Sequence, residues 1–330
     1  MAVPALRAGG GADGVSELDP LERAPWTLDI DVVLIVGAPR SGTTWLQSLL
    51  ASHPAIATGP ETHFFRTFAA ADAEFHRRRD RPLGVSEYWT SEQFHDAIER
   101  LFWGVLSRLP APAGSVRYFL EKTPIHCMHG AFILRVLPRA RFLHVIRDGR
   151  AVAASLLRAA GGWGRDWAPD TIGRAADRWD LRVRTGRAIR ELVPRSSAYR
   201  EIRYEDVRHD PAGALSSLYG WLGLDADAEL VEGAVRANSL ESDATFEAIT
   251  PAGASANTAS SDPYPEGFVG PAPVDPRDID LTRAQMRKFE ALEGGLLEEL
   301  GYPLVHGRGG WMRRALLSDR LRRALGLRPV

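Results

Sequence analysis

Short apolar runs alternate along the chain with stretches of helical period. Ile30–Gly37 (IDVVLIVG) is almost unbroken in apolar character and stops at a glycine, the pattern of a strand covered on both faces. From Gly42 to about Ser52, Trp45, Leu46, Leu49 and Leu50 share one helical face, and His53-Pro54 ends the run. Val116–Glu121, Arg141–Ile146 and Ala198–Arg203 are the next strand candidates. Helices follow the last two, at Gly149 to about Ala160 and Pro211 to about Trp221. Strands alternating with helices predict a parallel sheet with helices on both sides.

About eighty residues separate the first two strand candidates, far more than one crossover needs. The excess, about 62–115, holds a helix near 91–108 and many aromatics, and reads as a lid or acceptor-binding cap. A second helical insertion, 161–193, carries Trp163, Trp167 and Trp179. Residues 1–24 have no period and read as a disordered lead, followed by one domain over 25–305. Within that domain 250–280 reads as a long loop, and Thr282 to about Leu300 as a closing helix. The tail 306–330 reads as a basic amphipathic helix, a surface element open to peripheral membrane or partner contact.

Composition adds limits. A chain of 330 residues, 45% hydrophobic and 25% charged, can bury a sizeable core. Its net charge of −1 makes no global case for a nucleic-acid or anionic-membrane partner, so any anion site must come from local placement of Arg and Lys. The single cysteine, Cys127, has no disulfide or cluster partner and reads as a small buried residue. Neither a secretory leader nor a bilayer-length apolar run is read, and the expected location is cytoplasmic.

The stretch Gly37–Trp45 (GAPRSGTTW) sits between a buried strand and a helix. Gly37 and Gly42 let the backbone turn tightly. The amides of Ser41, Gly42, Thr43 and Thr44 open the helix, where donors and the helix dipole together favour an anion. Arg40 adds a forked cation, and Thr43 and Thr44 add hydroxyls. The spacing is close to the GxxxxGK[ST] loop of ATPases, but Thr43 stands where that loop has lysine. An anion other than Mg²⁺-bound triphosphate is therefore expected. Farther on, Arg147-Asp148-Gly149-Arg150 follows a strand's carboxyl end, where open α/β sheets bind ligands. Ser155, about two helical turns beyond Arg147, can face the same crevice. The pair suits a second, separate phosphate.

These two motifs, in this order, resemble those of the sulfotransferases, in particular the bacterial, tyrosylprotein- and heparan-type branches. The resemblance covers about residues 31–224 plus the closing helix with LLEELGYPL. It implies a P-loop-like three-layer α/β/α fold around a central parallel sheet, with helical cap insertions. It implies 3′-phosphoadenosine 5′-phosphosulfate (PAPS) as co-substrate and no metal. By the same resemblance VVLIVGAPRSGTTWLQSLL binds the 5′-phosphosulfate, and FLHVIRDGRAVAASLL the 3′-phosphate through Arg147 and Ser155. The Arg203-Tyr204-Glu205-Asp206 segment lies near the nucleotide. Glu61 matches the base of tyrosylprotein-type enzymes. Lys122, in Glu121-Lys122-Thr123-Pro124, matches the lysine that contacts the bridging oxygen in heparan-type ones.

Arg40 is placed to neutralise the leaving group. His126, shortly after Lys122, is an alternative base, whereas His144, inside an apolar strand, reads as core. The expected acceptor is a small-molecule, glycan or lipid hydroxyl or amine. The stretch PEGFVGPAPVDPRDIDL departs from the family's basic closing loop, since Arg277 is its single arginine. Ser255, Asn257, Ser260 and Ser261 are candidate donors there. Two other readings fit the loop less closely: an ATP-dependent phosphotransferase, and a nucleotide-binding protein without turnover.

Overall fold

The computed structural model describes residues 27, 29–77, 84–109, 115–239 and 273–306. The expected lead 1–24, the donors Ser255, Asn257, Ser260 and Ser261, and the tail 307–330 lie outside them. Five parallel strands form the sheet: β1 (Asp31–Gly37), β2 (Ile56–Thr58), β3 (Tyr118–Lys122), β4 (Arg141–Ile146) and β5 (Tyr199–Arg203), in the order β2-β3-β1-β4-β5. The expected strands are present with ends moved by one or two residues, while β2 was not expected. It is three residues long, too short for a period to register.

The helices are α1 (Thr43–Ala51), α2 (Phe64–Arg77), α3 (Ser91–Leu106), α4 (Gly130–Val136), α5 (Gly149–Ala160), α6 (Ile172–Ala188), α7 (Tyr204–His209), α8 (Pro211–Leu222), α9 (Ala228–Ala237) and α10 (Arg283–Glu299). Capping boxes, Thr90 with Gln93 and Thr282 with Gln285, open α3 and α10.

The unbroken apolar character of β1 has a direct outcome. Val32, Leu34 and Val36 pack into one core with Phe65, Phe102 and Phe132 from the cap and α4. Val33 and Ile35 point the other way, onto Leu46, Leu49 and Leu50 of α1 and Leu218 of α8. Strand alternation thus distributes one segment between two helical layers. A third cluster seals β4, α5, α6 and α10 around Trp179 and Phe289, both fully buried. At roughly 1.5–3 kcal/mol per large apolar side chain removed from water, this burial fixes the carboxyl edge of the sheet, where the loops after β1, β3, β4 and β5 meet. Cys127 is buried as expected, within 3.7 Å of the Gly37 carbonyl and the Thr185 hydroxyl.

Candidate active site

The loop after β1 is shaped by close contact. At Gly37, φ is +150°, and a Cβ there would sit 2.4 Å from the Val145 carbonyl oxygen. Gly42 (φ +83°) caps α1 with no side-chain capping bond, and a Cβ on it would lie 2.3 Å from the Tyr204 ring. The helix start therefore presents its first-turn amides at a glycine surface. One expectation needs correction. The Ser41 amide is not an open donor, because it bonds the Ala38 carbonyl at 3.2 Å, so the cradle begins at Gly42 and runs through Thr43 and Thr44. The Ser41 hydroxyl, fully buried, has no hydrogen-bond partner.

Arg40 holds a left-handed backbone (φ 75°) and is half-buried. Its Nε donates to Ser155 Oγ at 3.0 Å, and its guanidinium lies 5.3 Å from the Trp163 ring centroid. Arg147, 5% exposed, donates to the Arg40 carbonyl at 3.1 Å and to the Pro273 carbonyl at 3.3 Å. Its guanidinium sits 4.3 Å over the Tyr204 ring, and its Nε is buried without a partner. Thus the loop after β1, the strand end of β4, α5 and the start of α7 converge on one crevice. Tyr204 touches both Gly42 and Arg147, which places the residue suggested by the RYED segment at the junction.

The electrostatics of the crevice favour an anion. Burial, Arg147 and Arg158 together push Arg40 down to about 10, with Glu61 opposing. Burial lowers Arg147 too, with Tyr204 and Glu205 opposing. Both remain charged at neutral pH, so cations are crowded together in a low-dielectric pocket. Arg150 does different work. It is fully buried and grips Asp148 (3.0 and 2.7 Å) and Glu290 (2.6 Å), so the second arginine of RDGR ties α5 to α10. Arg277 is also spent, on Asp275 at 2.5 Å.

Beside this pocket, Glu61 and Lys122 meet at 2.5 Å, and His63 Nε2 stands 3.4 Å from the other Glu61 oxygen. Lys122 is 2% exposed, whereas the Glu61 side chain is 32% exposed, so the carboxylate is the solvent-reachable member. His63 shares with Arg40 a left-handed backbone (φ 50°). Strain of this kind gathers at functional loops.

The segment is held from below by Glu121, which motif reading did not single out. Glu121 accepts from the Thr62 amide (3.3 Å), the Thr62 hydroxyl (2.8 Å), the Thr123 hydroxyl (2.6 Å) and His126 Nδ1 (3.0 Å). Burial alone would raise this carboxyl, but His126 and the hydroxyl donors bring it down to about 2. His126, fully buried on Glu121, is part of this support rather than open to an acceptor. His144 is core, as expected: its Nδ1 meets Tyr199 Oη at 2.8 Å, and burial lowers it to about 4.

Geometry fits an anionic ligand on three counts: the glycine surface at Gly42, the unpartnered Ser41 hydroxyl and Arg147 Nε, and the surplus of cations. Comparison with known proteins agrees. The model described as "Sulfotransferase family" matches residues 32–228, more than half of the chain. Protein-tyrosine sulfotransferase 2 of Gallus gallus is 26% identical over 132 residues, 40% of this chain and 35% of that protein. Protein-tyrosine sulfotransferase 1 of Mus musculus is 29% identical over 130 residues, 39% of this chain and 34% of that protein. The match to these relatives thus spans about a third of their own length. In fold, the chain is similar to the sulfotransferase domain from the curacin biosynthetic pathway, with a TM-score of 0.50, 18% identity, and coverage of 83% of this chain and 99% of that one. With the loops after β1 and β4 on one sheet edge and a family match over residues 32–228 that contains both, this chain belongs to the sulfotransferase family.

Proposed function

We propose that this sulfotransferase takes its sulfuryl group from PAPS and delivers it to an acceptor hydroxyl or amine, with Glu61 as base. The observation that supports the reading is the meeting of Arg40, Arg147 and Ser155: Arg40, in the loop after β1, donates to Ser155 of α5, and Arg147, at the end of β4, donates to the Arg40 carbonyl. The first turn of α1 at Gly42, Thr43 and Thr44 would hold the 5′-phosphosulfate, and Arg147 with Ser155 the 3′-phosphate. Tyr204 and Trp163 offer ring faces beside these groups.

Glu61 and Lys122 divide the proton and charge work. Glu61 takes the proton of the acceptor as the acceptor's oxygen or nitrogen bonds to sulfur and the bond from sulfur to the phosphate oxygen breaks. Lys122, released from Glu61, steadies the charge left on that oxygen, and Arg40 adds to the same field. The products are a sulfated acceptor and adenosine 3′,5′-bisphosphate. Exposed Tyr88 and Trp89 beside the cap helices favour an acceptor with an apolar or aromatic part. Small molecules, glycans and lipids are the proposed acceptors, and a tyrosine peptide belongs in the same panel because the relatives carry that name.

The test combines titration calorimetry with adenosine 3′,5′-bisphosphate and a mass-spectrometric search for the gain of one sulfuryl group on a panel of acceptors. Glu61→Gln should bind the nucleotide as wild type does while turnover falls by about 10²-fold or more. Turnover unchanged in Glu61→Gln would refute the base assignment. Wild-type nucleotide affinity in both Arg40→Ala and Arg147→Ala would refute the pocket.

A further inference from the structure

Away from the loop after β1, the two cap helices bring together three metal-competent side chains. Asp72 and His76 lie one turn apart on α2, and His95 faces them from α3. His95 Nε2 is 2.9 Å and His76 Nε2 3.4 Å from the same oxygen, Asp72 Oδ1, and the three candidate ligand atoms all lie within 4.8 Å of one another. In a tetrahedral zinc site with bonds of about 2.0–2.2 Å, ligand atoms stand about 3.3 Å apart. The two spacings to Asp72 Oδ1 bracket that value, and the third pair lies within 4.8 Å, close enough for side-chain rotation to admit an ion.

The surroundings are those of a supported site. Asp72 and His95 are 6% and 5% exposed. Arg135 Nη2 donates to the second Asp72 oxygen at 2.5 Å, leaving Oδ1 as the single inward-facing carboxylate oxygen. Ser91 Oγ stands 3.5 Å from His95 Nδ1, the ring nitrogen that would remain when Nε2 binds. Outer partners of this kind orient metal ligands. Phe75 and Phe94, stacked at 4.4 Å, and Phe132, 6.3 Å from His95, wall the cluster with apolar rings. Two imidazoles and one carboxylate, with a position left for water, suit zinc or a similar borderline divalent cation over magnesium or calcium.

We propose that Asp72, His76 and His95 form a binding site for a zinc-class divalent cation that pins α2 to α3. The site is structural and lies outside the transfer chemistry, which is proposed to run without a metal. Its part in function is indirect: α2 starts at Phe64, immediately after the segment carrying Glu61, Thr62 and His63. A clamp on the cap would steady that segment and the acceptor side of the crevice.

The test uses the full chain, stripped with a chelator, dialysed and titrated with zinc chloride by calorimetry and with cobalt(II) chloride by visible absorption. One equivalent of zinc, an intense four-coordinate cobalt band and a raised melting temperature are expected. His76→Ala and His95→Gln, each first shown to melt like metal-free wild type, should lose the band and bind zinc at least ~10-fold more weakly. No zinc uptake by the wild-type chain at micromolar concentrations would overturn the proposal, whether or not the variants fold. A weak octahedral cobalt spectrum, or binding unchanged in variants that fold, would do the same.

Discussion

Glu121 offers the sharpest physical test of how the site is supported. Its side chain is 0% exposed and accepts from Thr62, Thr123 and His126, while its carboxyl falls from an ordinary 4.5 to about 2. At 1.36 kcal/mol per unit, the folded state gains about 3 kcal/mol from keeping this carboxylate charged. The sign follows from the direction of the shift. A depressed carboxyl stabilises fully above its unfolded value of 4.5 and loses that contribution as pH falls toward 2. In Glu121→Gln the charge is gone, and an amide NH₂ facing His126 Nδ1 forces the ring proton onto Nε2, which is buried without a partner. Urea unfolding followed by circular dichroism at neutral pH should show a loss of about 3 kcal/mol, equivalent to roughly 5–10 °C in melting temperature for a domain of this size. Repeated at falling pH, the gap between wild type and variant should close, half of it gone near about pH 3. A variant as stable as wild type at pH 7, or a gap that ignores pH through this window, would refute the reasoning.

Other outcomes follow from the same contacts. Gly42→Ala drives a Cβ to 2.3 Å from the Tyr204 ring at a φ of +83°, and should lower kcat/KM by roughly 10²-fold through displacement of the helix start. The steady-state acceptor assay with saturating donor checks it. Arg150→Met strands Asp148 and Glu290 in the core and should cost about 3–5 kcal/mol in denaturant unfolding. Arg147→Met, whose guanidinium hydrogen-bonds only backbone carbonyls among the described residues and whose place over the Tyr204 ring the thioether can fill, should cost less stability than Arg150→Met and lose adenosine bisphosphate affinity in calorimetry. Gly149→Ala places a Cβ 2.5 Å from Trp179 and 2.6 Å from Phe289, so differential scanning calorimetry should show destabilisation of about 1–3 kcal/mol.

The elements with strong local patterns were legible in the sequence. β1 with its glycine-bounded loop and α1, and β4 with α5, stand close to their expected limits because one apolar run followed by one helical period leaves few alternatives. The meeting of Arg40 with Ser155 was foreseeable only as a shared sheet edge. They stand 115 residues apart, and the hydrogen bond itself is a product of strand order. β2 escaped notice because three residues carry no period. Glu121 escaped because its role is written in the partners that fold beneath it, from Thr62 to His126, and no spacing rule names them. The Asp72–His95 contact escaped for a related reason, since it joins two helices whose relative placement is set by aromatic packing.

Among the described residues other than glycine, only Arg40 and His63 turn left-handed, and both border the crevice. Glycine at either position would relax the backbone by about 1 kcal/mol while deleting a charge or an imidazole. A search for heat-tolerant variants judged on melting alone would therefore tend to discard these two side chains. On the proposed mechanism, these two positions are where this chain gives up robustness in exchange for turnover.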